Sequence, residues 1–179
     1  LTSLTTNSPI CSGEDAVFTL VGTPNTMVSY TITGVAATQT VPLDASGNGT
    51  ITVTAATVDQ TVTLSLIENP TTTCSSALTN TETITVNPLP VLTSLTSNSP
   101  ICSGEDAIFT LVGTANATVT YSLDAGATTA DVVLDASGNG VVTVAGATVD
   151  QTIDLTQVTV GSCVTALTNT ATITVNPLP

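Results

Sequence analysis

The chain has 179 residues with 13 Asp and Glu and no Lys, Arg or His, so its formal net charge is −13. Without bases, no two side chains form a salt bridge, and the groups with which proteins bind nucleic acid or anionic membranes are missing. No segment approaches the roughly 20 consecutive apolar residues of a membrane span, so membrane insertion is not expected. Folding must therefore depend on apolar burial, backbone hydrogen bonds and disulfides.

The sequence contains the same domain twice. NSPICSGEDAVFTL at residues 7–20 returns as NSPICSGEDAIFTL at 98–111, LDASGNG at 43–49 returns at 134–140, and VNPLP at 86–90 returns at 175–179. The first effect of tandem duplication is to lengthen a molecule, and duplication by itself does not indicate a reactive site. We predict domain 1 at residues 1–90 and domain 2 at 91–179, joined by a stiff, proline-bearing link.

Strand signals follow one another along the first repeat, with turn residues between them. The predicted strands are residues 1–5, 10–11, 16–21, 28–33, 41–43, 51–53, 62–66 and 78–86. The Asn-Gly pair of DASGNG favours a tight turn, and Asn80 and Glu82 break the alternation of the last strand, which predicts a bulge. Helical periodicity is absent. The predicted fold class is all-β, with two tandem immunoglobulin-like β-sandwich domains in an elongated array.

Each repeat carries two cysteines at matching positions. This pattern favours one disulfide within each domain, Cys11–Cys74 and Cys102–Cys163. Each bond would close a loop of about 60 residues and contribute roughly 4 kcal/mol by the chain-entropy argument. It would also indicate an oxidising, extracellular location and hold the end strands against peeling. The alternative is four buried free thiols, whereas metal ligation is disfavoured because CxxC spacing and His are absent.

Acidic residues in the predicted turns are weak candidates for calcium binding, because calcium prefers oxygen ligands in loops. They are Glu14, Asp15 and Asp44 in the first repeat, and Glu105, Asp106 and Asp135 in the second. DASGNG lacks the further acids of a calcium loop, and turn formation explains its composition fully. We expect no cofactor, with calcium as the open alternative.

Catalysis is not expected. Without His or Lys, the chain has no Ser–His or Cys–His pair and no amine nucleophile. Two carboxylates can hydrolyse glycosides, but aromatic residues make up only 2% of the sequence, which argues against a sugar-binding cleft. The sequence therefore predicts a protein that is not an enzyme.

The motifs NSPICSGEDAVFTLVGT, LDASGNG and TITVNPLP, together with the late cysteine, carry a family resemblance. Both repeats resemble the immunoglobulin-like tandem repeats of giant surface adhesins from Bacteroidota, such as the type IX secreted gliding-motility adhesins of the SprB type. The resemblance covers both copies from end to end. It implies an extracellular, cell-surface location and a stalk rather than a binding tip.

The leading functional hypothesis is a structural stalk segment of a long repetitive adhesin or filament, which projects a binding end and bears tension. Its expected partners are neighbouring repeats of the same chain and an external surface, glycan or protein. One alternative is a module in which each repeat itself binds carbohydrate or a surface, and residues 31–42 and 122–133 differ enough between the copies to be its site. A second alternative is a subunit of a strand-exchanged fibre.

Overall fold

The computed structural model describes residues 1–124, 126 and 128–179, so two positions of the variable hairpin at 122–133 lie outside the described residues. The chain divides into two compact units, domain 1 (Leu1–Pro88) and domain 2 (Leu89–Pro179). The described residues contain strands, turns and bends but no helix, and hence no helix long and apolar enough to cross a membrane. The predicted all-β fold class is confirmed.

Domain 1 is built from ten strands in two sheets and a short parallel pair. The strands are β1 (Ser3–Thr6), β2 (Ile10–Cys11), β3 (Ala16–Val21), β4 (Met27–Ile32), β5 (Val35–Pro42), β6 (Asn48–Val53), β7 (Gln60–Glu68), β8 (Ser75–Ala77), β9 (Thr81–Ile84) and β10 (Val86–Asn87). One sheet has the order β1-β3-β6, and the other has the order β5-β4-β7 with β8 and β9 on the far edge of β7. Strands β2 and β10 pair in parallel, whereas the sheet ladders are antiparallel.

Domain 2 repeats this topology. Its strands are β11 (Leu92–Ser97), β12 (Ile101–Cys102), β13 (Ala107–Gly113), β14 (Thr118–Leu123), β15 (Thr129–Val133), β16 (Asn139–Val144), β17 (Gln151–Val160), β18 (Cys163–Ala166), β19 (Thr170–Ile173) and β20 (Val175–Asn176). The sheets are β11-β13-β16 and β15-β14-β17 with β18 and β19, and β12 pairs in parallel with β20.

Each domain has its own hydrophobic core between its two sheets. In domain 1, Phe18 of β3 is fully buried and belongs to one cluster with Val62 and Leu64 of β7. In domain 2, Phe109 occupies the equivalent place in a separate cluster. The alternation of apolar and polar residues explains this arrangement, because successive side chains of a strand point to opposite faces.

The DASGNG turn has the tight geometry that its sequence predicts. Gly47 has a φ of +83°, and a Cβ atom at this position would lie 2.1 Å from the backbone oxygen of Gly22. Gly138 repeats the arrangement with a φ of +82°. Only glycine fits here, because a side chain would meet backbone that has little freedom to move.

The last predicted strand, residues 78–86, is divided in the structure into β9 and β10, and the short strand β8 that precedes it was not predicted. Two residues separate Thr63 from Leu66 on β7, but three separate their partners Ala77 and Thr81 on the outer edge. The outer edge therefore carries one extra residue beside Asn80, which confirms the predicted bulge. Strand β5 is longer than predicted, because exposed Thr and Ala residues lengthen it without contributing an apolar signal.

Candidate functional sites at the domain poles

The chain enters each domain at one end, which we call the upstream pole. It leaves the domain at the opposite end, which we call the downstream pole. In domain 1 the upstream pole comprises residues 1–2, 21–26, 42–48 and 68–75, and the downstream pole comprises residues 11–15, 54–60 and 85–88. Strand β7 runs from one to the other with nine residues, which is about 30 Å at strand rise. In domain 2, residues 90–92, 113–117, 133–139 and 160–163 form the upstream pole, and residues 102–106, 145–151 and 174–177 form the downstream pole.

At the downstream pole, the terminal segments of domain 1 are hydrogen-bonded to each other in parallel. The backbone N–H of Ile10 donates to the carbonyl of Thr85 at 3.0 Å, and that of Ser12 donates to the carbonyl of Asn87 at 2.8 Å. The N–H of Thr85 in turn donates to the hydroxyl of Ser8 at 3.0 Å. We call this arrangement the terminal clamp, because it joins β2, the second strand of the domain, to β10, its last strand.

Domain 2 contains an equivalent terminal clamp. Its backbone bonds run from Ile101 to Thr174 at 3.0 Å and from Ser103 to Asn176 at 2.8 Å. The hydroxyl of Ser99 accepts from the N–H of Thr174 at 3.0 Å. Because the same donors and acceptors recur in both domains, the clamp is a property of the repeat.

The upstream pole is organised by the DASGNG turn. Asp44 Oδ1 accepts hydrogen bonds from the backbone N–H groups of Ser46 at 2.8 Å and Asn48 at 2.9 Å. These bonds, that from Asn48 foremost, lower the pKa of the Asp44 carboxyl below its usual value. Asp135 makes the equivalent bonds, and its pKa is lowered for the same reason.

The calcium candidates of domain 1 are distributed over both poles. Glu14 Oε2 accepts the backbone N–H of Cys11 at 2.7 Å, and Asp15 Oδ1 accepts that of Ala55 at 2.9 Å, both at the downstream pole. Asp44 lies at the opposite pole. Glu105 and Asp106 repeat the downstream contacts in domain 2. Among the described residues, no three acidic, Cys or His side chains come together as a metal site, and these carboxylates serve as acceptors for turn amides.

The expected disulfides Cys11–Cys74 and Cys102–Cys163 are not formed, which corrects the pairing predicted from the sequence. Cys74 and Cys102 are exposed free thiols, whereas Cys11 and Cys163 are half-cystines. Cys11 lies beside Asn87 at the downstream pole, and the carbonyl of Cys74 accepts from Asn69 at the upstream pole. The length of β7 separates them, whereas a disulfide requires Cα atoms about 4.4–6.8 Å apart.

The same geometry separates the cysteines of domain 2. Cys102 lies opposite Asn176 in the parallel strands β12 and β20, at the downstream pole. Cys163 of β18 lies opposite Val160, at the end of β17, in the strand register. Nearby, the hydroxyl of Thr165 donates to the carbonyl of Pro90 at 2.7 Å. In both domains the early cysteine is therefore downstream and the late cysteine is upstream.

Two groups of the terminal clamp are not apparent as site residues from the sequence. Asp59 lies just before β7, and its Oδ1 accepts the N–H of Val86 at 2.8 Å. Ser8 is followed by Pro9, and the Ser8–Pro9 peptide bond is cis. The signal that points to both is their recurrence as Asp150 and Ser99 at matching positions of the second repeat.

No protein-family model and no curated protein matches the sequence, but many solved structures share the fold. A marsupial T cell receptor has a TM-score of 0.60 at 9% identity, covering 98% of this chain and 73% of that one. The fold and the poles thus define a pair of tandem immunoglobulin-like domains.

Two bacterial adhesins are also structurally similar to the chain. One is a Ca²⁺-stabilized adhesin that helps an Antarctic bacterium reach out and bind ice, with a TM-score of 0.53, 16% identity and coverage of 98% of this chain. The chain spans 49% of that structure, about half its length. The other is a 1.5-MDa bacterial ice-binding adhesin, with a TM-score of 0.50, 18% identity and coverage of 98% of this chain and 64% of that one.

Proposed function

We propose that this chain is a structural stalk segment of a long repetitive extracellular adhesin, of the type found on Bacteroidota, and that it transmits tension between its ends. The gliding-motility adhesins exported by type IX secretion are the family whose repeats it resembles. The segment projects a binding end and has no catalytic activity. Its partners are neighbouring repeats of the same chain. The adhesin repeats with a similar fold are consistent with this proposal.

The terminal clamp is the observation that carries the proposal. Tension on the two termini of a domain pulls the beginning of the chain toward the upstream pole and its end toward the downstream pole. Strands β2 and β10 are parallel, so this tension acts along both strands in opposite directions. The hydrogen bonds between them are then strained together rather than opened one after another. A domain that resists extension in this way suits a stalk.

The extracellular location is supported by the half-cystines Cys11 and Cys163. Disulfides persist in oxidising compartments and are rare in reducing ones. The absence of Lys and Arg also removes every cleavage site for trypsin-like proteases. Complete cores in both domains argue against the strand-exchanged fibre, because neither domain needs a donated strand.

Single-molecule extension of the chain tests the proposal, with Ser12→Pro as the diagnostic variant. Ser12 occupies the second position of the turn from Cys11 to Glu14, whose third residue, Gly13, has a φ of +94°. Proline is favoured at that second position of a type II turn. The substitution therefore removes the N–H donor to Asn87 and leaves the turn intact. Loss of about 1 kcal/mol from the barrier should raise the unfolding rate of domain 1 under force about fivefold.

Ile51→Val is the matched control, because it trims a buried side chain outside the clamp. It should lower the equilibrium stability of domain 1 by about 1 kcal/mol. Both variants should lower the free energy of unfolding of domain 1 by a similar amount. If the clamp resists tension, Ser12→Pro should accelerate the forced unfolding of domain 1 more than Ile51→Val does. Domain 2 should be unchanged in both variants. Equal acceleration by the two variants would show that the clamp does not resist tension.

A further inference from the structure

The outer face of the five-stranded sheet of domain 1 carries two rows of threonines that cross its strands. Val62 and Leu64 of β7 are buried, so alternation directs Thr61 and Thr63 to the outside. The rows, which we call the threonine rows, are Thr33, Thr61 and Thr83, and Thr31, Thr63 and Thr81. Five of these six residues are exposed, and the sixth, Thr61, is half-buried.

Hydrogen bonds between the threonines hold their hydroxyls in place. The Oγ1 atoms of Thr61 and Thr83 are hydrogen-bonded at 2.8 Å, and the Thr81 hydroxyl donates to Thr63 Oγ1 at 3.2 Å. Each hydroxyl has one proton and two acceptor lone pairs, so a pair that shares one bond keeps one proton and further lone pairs for a ligand. Because the χ1 rotamers of β-branched residues are stiff, the rows present hydroxyls and methyl groups in a fixed pattern.

The threonine rows carry no charge, in contrast to the equivalent face of domain 2. In domain 1, all of which the structure describes, the carboxylates lie at the poles except Glu82, which alternation directs away from the rows. In domain 2, Asp124 and Asp154 take the positions of Thr33 and Thr63. The rows are thus a neutral surface on a chain with a net charge of −13.

The charge of the chain and the chemistry of the rows together define the partner. The net charge repels anionic polymers and a second copy of the same chain, so the partner carries no negative charge. Protein partners are bound mainly through aromatic, Met and Arg side chains, none of which occurs in the rows. An uncharged polymer that is rich in hydroxyls offers donors and acceptors that match those of threonine.

The spacing within a row selects the shape of that polymer. Neighbouring strands lie about 4.8 Å apart, which is close to the length of one sugar residue in an extended β-linked glucan. We propose that the threonine rows bind an extended, uncharged β-linked polysaccharide that crosses the strands with one sugar residue over each strand. The proposal goes beyond the stalk function, because it gives the side of domain 1 a partner and does not depend on how the domain resists tension.

Sedimentation of the chain with microcrystalline cellulose, an insoluble β-linked glucan, tests the proposal. The diagnostic variant combines Thr61→Val and Thr63→Val, which removes the central hydroxyl of each row and keeps the β-branched shape. Its association constant should be about tenfold lower, because two hydroxyls lose their hydrogen bonds to the sugar.

The matched control combines Thr19→Val and Thr50→Val. These residues lie opposite each other on β3 and β6, in the other sheet of domain 1, and both are exposed. The control makes the same chemical change and should leave the binding unchanged. Urea unfolding verifies that both variants keep a folded domain 1.

A reciprocal variant transfers the rows to domain 2. Asp124→Thr combined with Asp154→Thr removes both aspartates from its face and should strengthen the binding to cellulose. Because the polymer is uncharged, added salt should leave the binding of the unsubstituted chain unchanged.

Four results would overturn the proposal. They are no binding to cellulose, equal losses in the diagnostic and control variants, binding to α-linked starch granules as strong as to cellulose, and self-association without polymer that the diagnostic variant abolishes. The last result would assign the rows to a second copy of the chain. None of these results would affect the extension test of the terminal clamp.

Discussion

The Oδ1 atom of Asp59 accepts a hydrogen bond of 2.8 Å from the backbone N–H of Val86, and Asp150 makes the same contact with Val175. In each domain, the residue just before the long central strand thus holds the first residue of the final strand. That final strand is only two residues long. A side-chain acceptor compensates for the few backbone bonds that so short a strand makes.

Asp59→Ala should therefore lower the free energy of unfolding of domain 1 by about 1 kcal/mol, because the N–H of Val86 loses its partner. Asp59→Asn retains an oxygen acceptor and should recover most of the loss. Urea denaturation of the chain measures both. An equal loss in the two variants would mean that the charge of Asp59, rather than its hydrogen bond, stabilises the domain.

The lowered pKa of Asp44 makes the stability of domain 1 sensitive to acid. A carboxyl whose pKa is lower in the folded state stabilises the fold at pH values above its unfolded pKa, about 3.9. This contribution disappears as the pH falls through the folded pKa. The stability difference between the unsubstituted chain and Asp44→Asn should be constant above about pH 5 and should decline below about pH 4. Thermal unfolding across pH 2–7 checks this, and a difference that grows with acidification would contradict it.

Gly47→Ala should destabilise domain 1 much more than Gly13→Ala. Both glycines have positive φ, but a Cβ at position 47 would lie 2.1 Å from the Gly22 backbone oxygen, whereas nothing lies within 4 Å of one at position 13. We expect a cost of about 1–2 kcal/mol for Gly13→Ala and more than about 3 kcal/mol for Gly47→Ala, because backbone must shift. Equilibrium unfolding gives both values, and similar costs would show that the turn relaxes easily.

Phe18→Ala should remove about 3–5 kcal/mol from domain 1, because it leaves a cavity between the two sheets. The cores of the two domains share no residue, so domain 2 should keep its own transition. Phe109→Ala is the reciprocal variant and should affect domain 2 alone. Calorimetry resolves the two transitions. A single transition that shifts as a whole in both variants would indicate that the domains unfold together.

The local elements of this fold could be predicted from the sequence with few errors. Alternating residues in β3 and β7 determine which side chains enter the core, and LDASGNG determines a turn wherever it occurs. Even the bulge beside Asn80 follows from the broken alternation of the last strand. These features depend on residues close to one another in the chain, so local sequence contains their physical cause.

The cysteines show what only the tertiary structure decides. Matching positions in two repeats favoured the pairs Cys11–Cys74 and Cys102–Cys163, but spacing along the chain contains no information about which end of a sandwich a residue reaches. Cys11 is the last residue of the short strand β2 at the downstream pole, and Cys74 lies in the connection between β7 and β8 at the upstream pole. Distances between poles are set by the length of β7, to which neither cysteine belongs.

The sequence by itself thus determined the strands, the turns, the duplication and the absence of salt bridges, because composition and alternation act locally. The tertiary structure decided that each domain has its chain ends at opposite poles, and that a parallel clamp at the downstream pole pairs β2 or β12 with the last strand of the domain. It also decided that the cysteines within a domain lie too far apart to bond. Both results depend on the pairing of segments that are distant in the chain, which no local pattern specifies.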